Sequence, residues 1–320
     1  MTSQLGAALR GAGIESTVGN TPLVELRHLS PTPGVRLFAK LESENPTGSV
    51  KDRVALAMLD AAEQSGELRA GRTILEPSSG NTGIALAALG RVRGYPVRIV
   101  LPESATAERV ALLEAFGATL IRSPGALGSN GAVALARQLA ADDRSLFMPF
   151  QYANPANPDV HYRTTGVEIL EECPDVDAFV AGLGTGGTLM GVGRRLREAN
   201  PDVQIIAAEP LAGDDVSGLR SLEDGYVPEV LDVSKLDRKL LVSNAEAVRG
   251  LRLLARTEGI FAGVSAGGVL HVALRVAAEL DAPANIVMLF ADGGWKYLSA
   301  GLWDRDERDL AGEMESKIWW

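Results

Sequence analysis

A glycine-rich turn at residues 181–191, AGLGTGGTLMG, has the composition of a phosphate-binding loop. Its Gly182, Gly184 and Gly187 form the pattern GxGxxG after an apolar run. Glu209 follows roughly 20 residues later, where a dinucleotide fold places its ribose-binding acid. This spacing predicts a nicotinamide-dependent oxidoreductase. For any single turn of this kind the alternative is a tight strand-to-helix connection, because α/β loops of about 2–6 residues are routine.

A lysine in NPTGSVKDR, residues 45–53, points to a different chemistry. Ser49 is a candidate helix cap, and a helix that begins near Lys51 places its ammonium at the positive end of the helix dipole. That field disfavours the charged amine, so Lys51 condenses more readily with an aldehyde. An imine-forming lysine implies pyridoxal phosphate as cofactor. The alternative is a solvated lysine whose charge is partly relieved by Asp52.

The composition limits the function classes. The chain has 320 residues, of which 46% are hydrophobic, and its net charge of -10 disfavours nucleic-acid and acidic-membrane partners. Cys173 is the single cysteine, and His28, His161 and His271 show no ligand spacing, so we expect neither a disulfide nor a metal site. The sequence shows no secretory signal and no apolar run of spanning length, which favours a reducing cytoplasm.

Short apolar runs alternate with segments of helical period along the chain. The alternation predicts an α/β protein of two doubly wound parallel-sheet domains with a ligand cleft between them. Strands up to about residue 150 are expected in one sheet and later strands in another, with a seam at 148–159. The predicted strands are 35–42, 73–77, 97–103, 118–123, 177–184, 203–210 and 285–294, and the predicted helices are 51–66, 83–93, 106–116, 130–141, 188–198, 245–258 and 266–279.

Six motifs occur in a fixed order over nearly the whole chain: GNTPLVEL (19–26), KLESENPTGSVKDR (40–53), EPSSGNTGIALA (76–87), QYANPAN (151–157), GLGTGGTLMG (182–191) and FAGVSAGG (261–268). Together they resemble the cysteine synthases of the fold type II pyridoxal-phosphate enzymes, whose cofactor lies in the cleft between two tryptophan synthase β-like domains. Residues 207–229 and 291–299 are most similar to the O-phosphoserine-dependent branch. We predict a smaller, mobile substrate-carboxylate domain at 45–150. Residues 1–44 plus 151–320 would form the larger cofactor-phosphate domain.

The resemblance assigns roles to individual residues. Lys51 would carry pyridoxal phosphate as an imine and later remove the Cα proton of the substrate. Asn81 would contact the 3′-oxygen of the cofactor, and Ser265 would face its pyridine nitrogen, where a neutral hydroxyl favours loss of a β-leaving group. The cofactor phosphate would be held by Gly184, Thr185, Gly186, Gly187 and Thr188, and the substrate carboxylate by Ser78, Ser79, Asn81, Thr82 and Gln151.

The implied reaction is a β-replacement that forms L-cysteine through an α-aminoacrylate. Its amino-acid donor would be O-phosphoserine, whose phosphate Arg220 would bind, or O-acetylserine; its sulfur donor would be sulfide or a thiocarboxylate, with a sulfur-carrier protein as partner. Without the resemblance, Arg220 is better explained as an exposed arginine paired with Glu223 or Asp224. An O-acetylserine sulfhydrylase, a cystathionine β-synthase-like enzyme, a serine dehydratase and a non-catalytic binder are alternatives. A homodimer is usual in the family.

Three further features have two interpretations each. Trp295 and Lys296 in ADGGWKYLS either distinguish the O-phosphoserine branch or form a domain-interface pair. His161 is better explained as a structural hydrogen-bonding residue than as a catalyst. The C-terminal Trp319 and Trp320 either fold over the cleft or make a dimer or surface contact, because large apolar residues are seldom left solvated without a role.

Overall fold

Two separate β-sheets organise the computed structural model, which describes residues 13–78, 80–103, 105–125, 128–214 and 216–303. In chain order the strands are β1 (Leu23–Glu25), β2 (Val35–Leu41), β3 (Thr73–Pro77), β4 (Val97–Pro102), β5 (Thr119–Ser123), β6 (Leu146–Phe147), β7 (Ala178–Gly182), β8 (Gln204–Pro210), β9 (Arg238–Val242) and β10 (Ala284–Phe290).

The helices are α1 (Lys51–Ser65), α2 (Asn81–Val92), α3 (Ala107–Ala115), α4 (Gly128–Asp142), α5 (Ala156–Val160), α6 (Gly166–Glu172), α7 (Gly187–Ala199), α8 (Asn244–Leu253) and α9 (Val264–Ala277). A π-helical turn, His161–Thr165, joins α5 to α6, and a second one, Leu254–Glu258, continues α8. Short 3₁₀ turns occupy Ile14–Thr17, Glu42–Glu44, Leu222–Asp224, Val233–Lys235 and Gly294–Ala300.

The larger sheet has six strands in the order β1-β2-β10-β7-β8-β9 and is parallel except for β1. Val35 of β2 lies opposite Ala284 of β10, and Leu41 lies opposite Phe290. The expectation that all strands up to residue 150 share one sheet is therefore wrong for β1 and β2. A strand's apolar pattern predicts its burial but not its partner, and β2 is buried because Leu37 and Ala39 pack into one core cluster and Phe38 into another.

The smaller sheet has four parallel strands in the order β5-β4-β3-β6. On one face α1 and α2 pack side chains such as Met58 and Leu89, and on the other α4 packs Ala132 and Ala136 against Leu75. Fully burying one such large aliphatic side chain contributes about 1.5–3 kcal/mol. Helices on both faces of parallel sheets confirm the doubly wound α/β class.

Helix α1 shows how the local sequence determines one element that serves the site. Its apolar residues Val54 and Met58 recur at the i, i+4 spacing of a buried helical face. The helix ends at Gly66, whose φ of 76° is the left-handed conformation that glycine adopts without a Cβ penalty. Packing against α2 in the small-sheet core thus fixes the helix that begins at Lys51.

The described residues contain neither a membrane-spanning helix nor a metal-binding cluster. No helix there is long and apolar enough to cross a membrane. No group of three His, Cys, Asp or Glu side chains in the same ranges could hold a metal ion, and Cys173 is buried as a free thiol.

Candidate active site

A polar cleft lies beyond the carboxyl ends of strands from both sheets. Ser78 follows β3, Gly184 follows β7 and Asp292 follows β10, as expected for ligand sites of parallel sheets. The cleft contains a cavity of about 150 Å³ and an adjoining one of about 40 Å³. Between them they are lined by these predicted site residues: Lys51, Ser78, Asn81, Thr82, Gln151, Gly184, Thr185, Gly186, Thr188, Arg220 and Ser265.

Four other predicted residues do not line these two cavities among the described residues. Gly187 is the first residue of α7, inside the predicted phosphate turn. Ser79, Trp319 and Trp320 lie outside the described residues, so their predicted roles remain predictions.

A larger groove, about 1280 Å³, lies elsewhere on the described surface. Its lining includes Leu56, Pro158 and Met190 and none of the predicted site residues. The smaller cleft is the better candidate because an amine, four serine and threonine hydroxyls and two side-chain amides converge there, and convergent polar groups determine ligand specificity.

Lys51 is the first residue of α1, and its half-buried side chain lines both cavities. Ser49 supports the turn before it, since Ser49 Oγ accepts the Lys51 N–H at 3.3 Å, although Val50 occupies the cap position. Burial lowers the pKa of the Lys51 amine, against the opposing effect of the Asp292 and Glu42 carboxylates. A lowered pKa raises the fraction of neutral, nucleophilic amine. The sequence suggested only the helix dipole as a cause.

The interpretation of Lys51 as a solvated lysine paired with Asp52 is wrong. Asp52 is buried, and its carboxylate accepts hydrogen bonds from the amide of Thr47 at 2.6 Å and from the Thr47 hydroxyl. Burial raises the pKa of Asp52 to about 6, although the bonds from Thr47 oppose this effect. Asp52 therefore stabilises the turn before α1 and leaves Lys51 directed to the cleft.

The glycine-rich turn leads from β7 into α7 and is shaped by its neighbours. Gly186 has a φ of 88°, a backbone conformation that side chains other than glycine's rarely adopt. A Cβ at Gly187 would collide with Asn157 Oδ1. Asn157 Nδ2 also donates to Thr185 Oγ1 at 3.0 Å. Backbone amides at the start of a 13-residue helix would suit one phosphate group.

A second polar turn connects β3 to α2. Ser78 Oγ accepts the N–H groups of Gly80 and Gly83 at 3.3 and 3.0 Å, which orders the start of the helix. Thr82 Oγ1 donates to Gln151 Oε1 at 2.7 Å, so two of the predicted carboxylate-binding residues are joined. Amides at the beginning of α2 suit an anion.

Asn81 begins α2 and is held by residues that follow β10. Its Oδ1 accepts from Lys296 Nζ at 2.7 Å, and its Nδ2 donates to Asp292 Oδ2 at 2.8 Å. Lys296 is fully buried, whereas the neighbouring Trp295 is 44% exposed. Since Asn81 belongs to the small-sheet region and Lys296 follows the large sheet, their hydrogen bond joins the two regions.

Arg220 lies in the cleft and is only 6% exposed, so the interpretation of an exposed arginine is wrong. Its guanidinium carbon lies 5.5 Å from the ring centre of Tyr152 and 5.3 Å from that of Tyr226. The backbone N–H of Arg220 donates to the Leu183 carbonyl at 2.7 Å, which ties this loop to the end of β7. Aromatic faces favour a cation at such distances.

Two residues singled out in the sequence have structural partners. Glu209 Oε1 accepts the Leu222 N–H at 2.7 Å and its Oε2 lies 3.1 Å from Lys239 Nζ, so this buried carboxylate orders the loop after β8. His161 lies within hydrogen-bond distance of the hydroxyls of Thr165 (2.9 Å) and Thr188 (3.3 Å), and burial lowers its pKa well below the usual value. A neutral His161 fits the structural interpretation.

A buried carboxylate that the sequence did not indicate lies behind the cleft. Glu76 in β3 is fully buried and accepts the backbone N–H groups of Phe150 (2.8 Å) and Gln151 (3.0 Å). Burial raises its pKa to about 7, against the effect of these two bonds. Glu76 stands in the quoted motif EPSSGNTG, but only the fold brings it beneath Gln151.

A buried ion network that the sequence did not indicate holds the helix of Lys51. Arg53 Nε donates to Glu42 at 2.8 Å and Nη1 donates to Glu168 at 2.6 Å. Burial alone would raise the pKa of Glu168, but hydrogen bonds from Arg53 and Lys40 lower it to about 2. The network joins α1 to the segment after β2 and to α6.

The chain matches known proteins over most of its length. A family model described as pyridoxal-phosphate dependent enzyme matches residues 14–292. Cysteine synthase B of Pseudomonas aeruginosa is 44% identical over 292 residues, which cover 91% of this chain and 97% of that protein. Cysteine synthase of Staphylococcus aureus is 41% identical over 303 residues, or 92% and 97%. The crystal structure of an O-ureido-L-serine synthase is similar with a TM-score of 0.86 and 40% identity over 93% of this chain and 98% of that one.

The cleft fits pyridoxal phosphate by its own chemistry. Lys51 would offer an amine of lowered pKa to the aldehyde, and the turn before α7 would offer amides to the phosphate. The carboxylate oxygen Asp292 Oδ1 is buried in the cleft region and has no hydrogen-bond partner among the described residues. The alternative of a nicotinamide-dependent oxidoreductase is wrong, since Glu209 is committed to structural bonds and the matching family uses another cofactor. The chain belongs to the pyridoxal-phosphate dependent enzymes and is a homologue of the cysteine synthases.

Proposed function

We propose that this enzyme forms L-cysteine from O-phosphoserine and a sulfur donor, either sulfide or a thiocarboxylate. The observation that carries the proposal is Arg220, a buried cation on the wall of the cleft that holds Lys51. A phosphate dianion needs a cationic partner to leave, whereas an acetyl ester does not. A guanidinium can donate two parallel hydrogen bonds to such a dianion.

In this proposal Lys51 holds the cofactor and moves the proton at the substrate Cα. Pyridoxal phosphate, when bound, supplies the electron sink that makes this proton acidic. Burial lowers the pKa of the Lys51 amine, which raises the fraction of neutral amine that can accept the proton. Ser265, at the start of α9, lines the cleft as a neutral hydroxyl. Its neutrality favours elimination over a long-lived carbanion.

The substrate carboxylate is oriented by the turn that begins α2. Thr82 and Gln151 already share a hydrogen bond, so their side chains present one ordered polar surface. With the carboxylate at that helix start, the β-substituent can extend toward Arg220, which lines the same cavity. Orientation of this kind lowers the barrier because the reacting groups need not be brought together in the transition state.

The substrate test is a steady-state comparison of O-phosphoserine with O-acetylserine, each with sulfide, on the cofactor-loaded enzyme. We expect kcat/KM for O-phosphoserine to be at least about tenfold higher, which corresponds to one charge-assisted contact. A higher value for O-acetylserine would overturn the proposed donor and favour an O-acetylserine sulfhydrylase. Replacing sulfide with a peptide thiocarboxylate identifies the sulfur donor in the same assay.

Four further expectations belong to this proposal. We propose that the enzyme acts as a homodimer in the cytoplasm, and that a sulfur-carrier protein delivers the sulfur. Residues 45–150 would form the smaller unit that moves relative to residues 1–44 plus 151–320. The tail that ends in Trp319 and Trp320 would close over the cleft, and deleting residues 316–320 should then admit small thiols faster.

A further inference from the structure

The orientation of the Asn81 carboxamide is specified from both ends. Lys296 Nζ lies 2.7 Å from Oδ1, and Asp292 Oδ2 lies 2.8 Å from Nδ2. An ammonium can only donate, and an ionised carboxylate can only accept. A flipped amide would place its NH₂ against the ammonium and its oxygen against the carboxylate. Both hydrogen bonds would become repulsive contacts, so one orientation is strongly favoured.

Lys296 is itself held in place. It lies in the turn Gly294–Ala300, is 1% exposed, and its Nζ also donates to the carbonyl of Gly48 at 3.1 Å. Asp292 is fixed independently, because the Tyr297 hydroxyl donates to the same Oδ2 at 2.7 Å. Burial lowers the pKa of Lys296, and the Asp292 and Asp52 carboxylates oppose this effect.

The arrangement leaves a defined donor in the cleft. Nδ2 of Asn81 carries two hydrogens, and Asp292 accepts one of them. The other can donate to an anionic oxygen only while the amide keeps this orientation. Asn81 lines the same cavity as Lys51, where the aldehyde and the adjacent 3′-oxygen of pyridoxal phosphate would lie.

We propose that Lys296 is a positioning residue that holds the Asn81 carboxamide with its NH₂ toward the 3′-oxygen of the cofactor. Lys296 acts through Asn81 and touches neither substrate nor cofactor in this account. The inference rests on the proposed contact between Asn81 and the cofactor. It deepens the site by assigning a function to a buried cation that a cysteine synthase reaction does not otherwise require.

The test is a double-mutant cycle on cofactor binding. Apo-protein variants Lys296→Met, Asn81→Ala and the combined variant are titrated with pyridoxal phosphate, and the Kd and absorption maximum of the complex are measured. We expect Lys296→Met to raise the Kd about tenfold, as for one charge-assisted hydrogen bond, and to shift the absorption maximum. In the Asn81→Ala background the same change should alter the Kd by less than about twofold.

Two controls separate positioning from general damage. Lys235→Met makes the same chemical change at an exposed lysine outside the cleft and should leave Kd and spectrum unchanged. Lys296→Gln can still donate to Asn81 Oδ1 but carries no charge, so its Kd should lie between those of wild type and Lys296→Met. It also serves as the test variant if Lys296→Met does not fold.

The outcomes distinguish the proposed contact of Asn81 with the cofactor from the proposed positioning function of Lys296. An unchanged Kd in Asn81→Ala overturns the proposed cofactor contact of Asn81. A raised Kd in Asn81→Ala, with a Lys296→Met effect that is absent or adds in full to it, overturns only the positioning function of Lys296. A lower melting temperature of apo Lys296→Met without a change in Kd or spectrum identifies Lys296 as a structural clamp between the sheets, which also overturns the inference.

Discussion

Replacing Arg220 with alanine tests the substrate specificity directly. The change removes a buried guanidinium at the cleft wall that lies 5.5 Å from the ring centre of Tyr152 and 5.3 Å from that of Tyr226. A charge-assisted hydrogen bond to a leaving phosphate is worth roughly 1.5–3 kcal/mol. At about 1.4 kcal/mol per factor of ten, kcat/KM for O-phosphoserine should fall about 10- to 150-fold. O-Acetylserine turnover should stay within about twofold, because its leaving group needs no cation.

The assay is cysteine formation from each donor under kcat/KM conditions, with wild type and variant loaded to the same cofactor content. Arg252→Ala is a matched control, because Arg252 is buried to a similar degree but donates to the Leu302 carbonyl and does not line the cleft. Arg252→Ala should change kcat/KM by the same factor for both donors. If Arg220→Ala lowers kcat/KM equally for both donors, or for neither, Arg220 is structural and does not determine donor specificity.

Three other substitutions test the surrounding structure. Glu76→Gln removes a carboxyl group whose pKa burial raises from 4.5 to about 7. The stability that Glu76 contributes is therefore fully present below about pH 4.5 and is lost as the pH rises through 7. Urea unfolding should show that the difference in unfolding free energy between wild type and variant narrows from about pH 5 to 8. Arg53→Met removes the cation beside the buried Glu42 carboxylate, to which, among the described residues, only Thr21 and Asn45 then donate, and should cost about 3–5 kcal/mol of unfolding free energy by the same method. Gly187→Ala places a Cβ against Asn157 and should raise the Kd for pyridoxal phosphate at least about tenfold in equilibrium dialysis.

The sequence predicted the order and type of most elements, because alternating apolar runs report burial directly. The apolar alternation alone did not predict which sheet β2 joins, since the pairing with β10 is a contact between residues about 250 positions apart. Strands β1, β6 and β9 were also missed. They are short or only partly buried, so their apolar pattern is weak.

For the site, motif order was more informative than any single turn. The GxGxxG pattern alone predicted a nicotinamide cofactor, which is wrong. The motifs that contain Lys51, Asn81 and Gly184–Thr188 together indicated pyridoxal phosphate. The partners of these residues could not be predicted, because Lys296 and Glu76 act across sheets or from beneath a strand. Burial, the main cause of the lowered pKa of Lys51, likewise appears only in three dimensions.

Borohydride reduction of the cofactor-loaded enzyme, followed by peptide mass spectrometry, is the most direct test of the central claim that Lys51 carries pyridoxal phosphate. Lys51 lines the cleft, whereas Lys296 lies behind Asn81 and its Nζ donates to Gly48 and Asn81. We expect loss of the cofactor's visible absorption and a stable cofactor adduct on the peptide that contains Lys51. An adduct on the Lys296 peptide, or an enzyme whose absorption survives reduction with Lys51 unmodified, would contradict it.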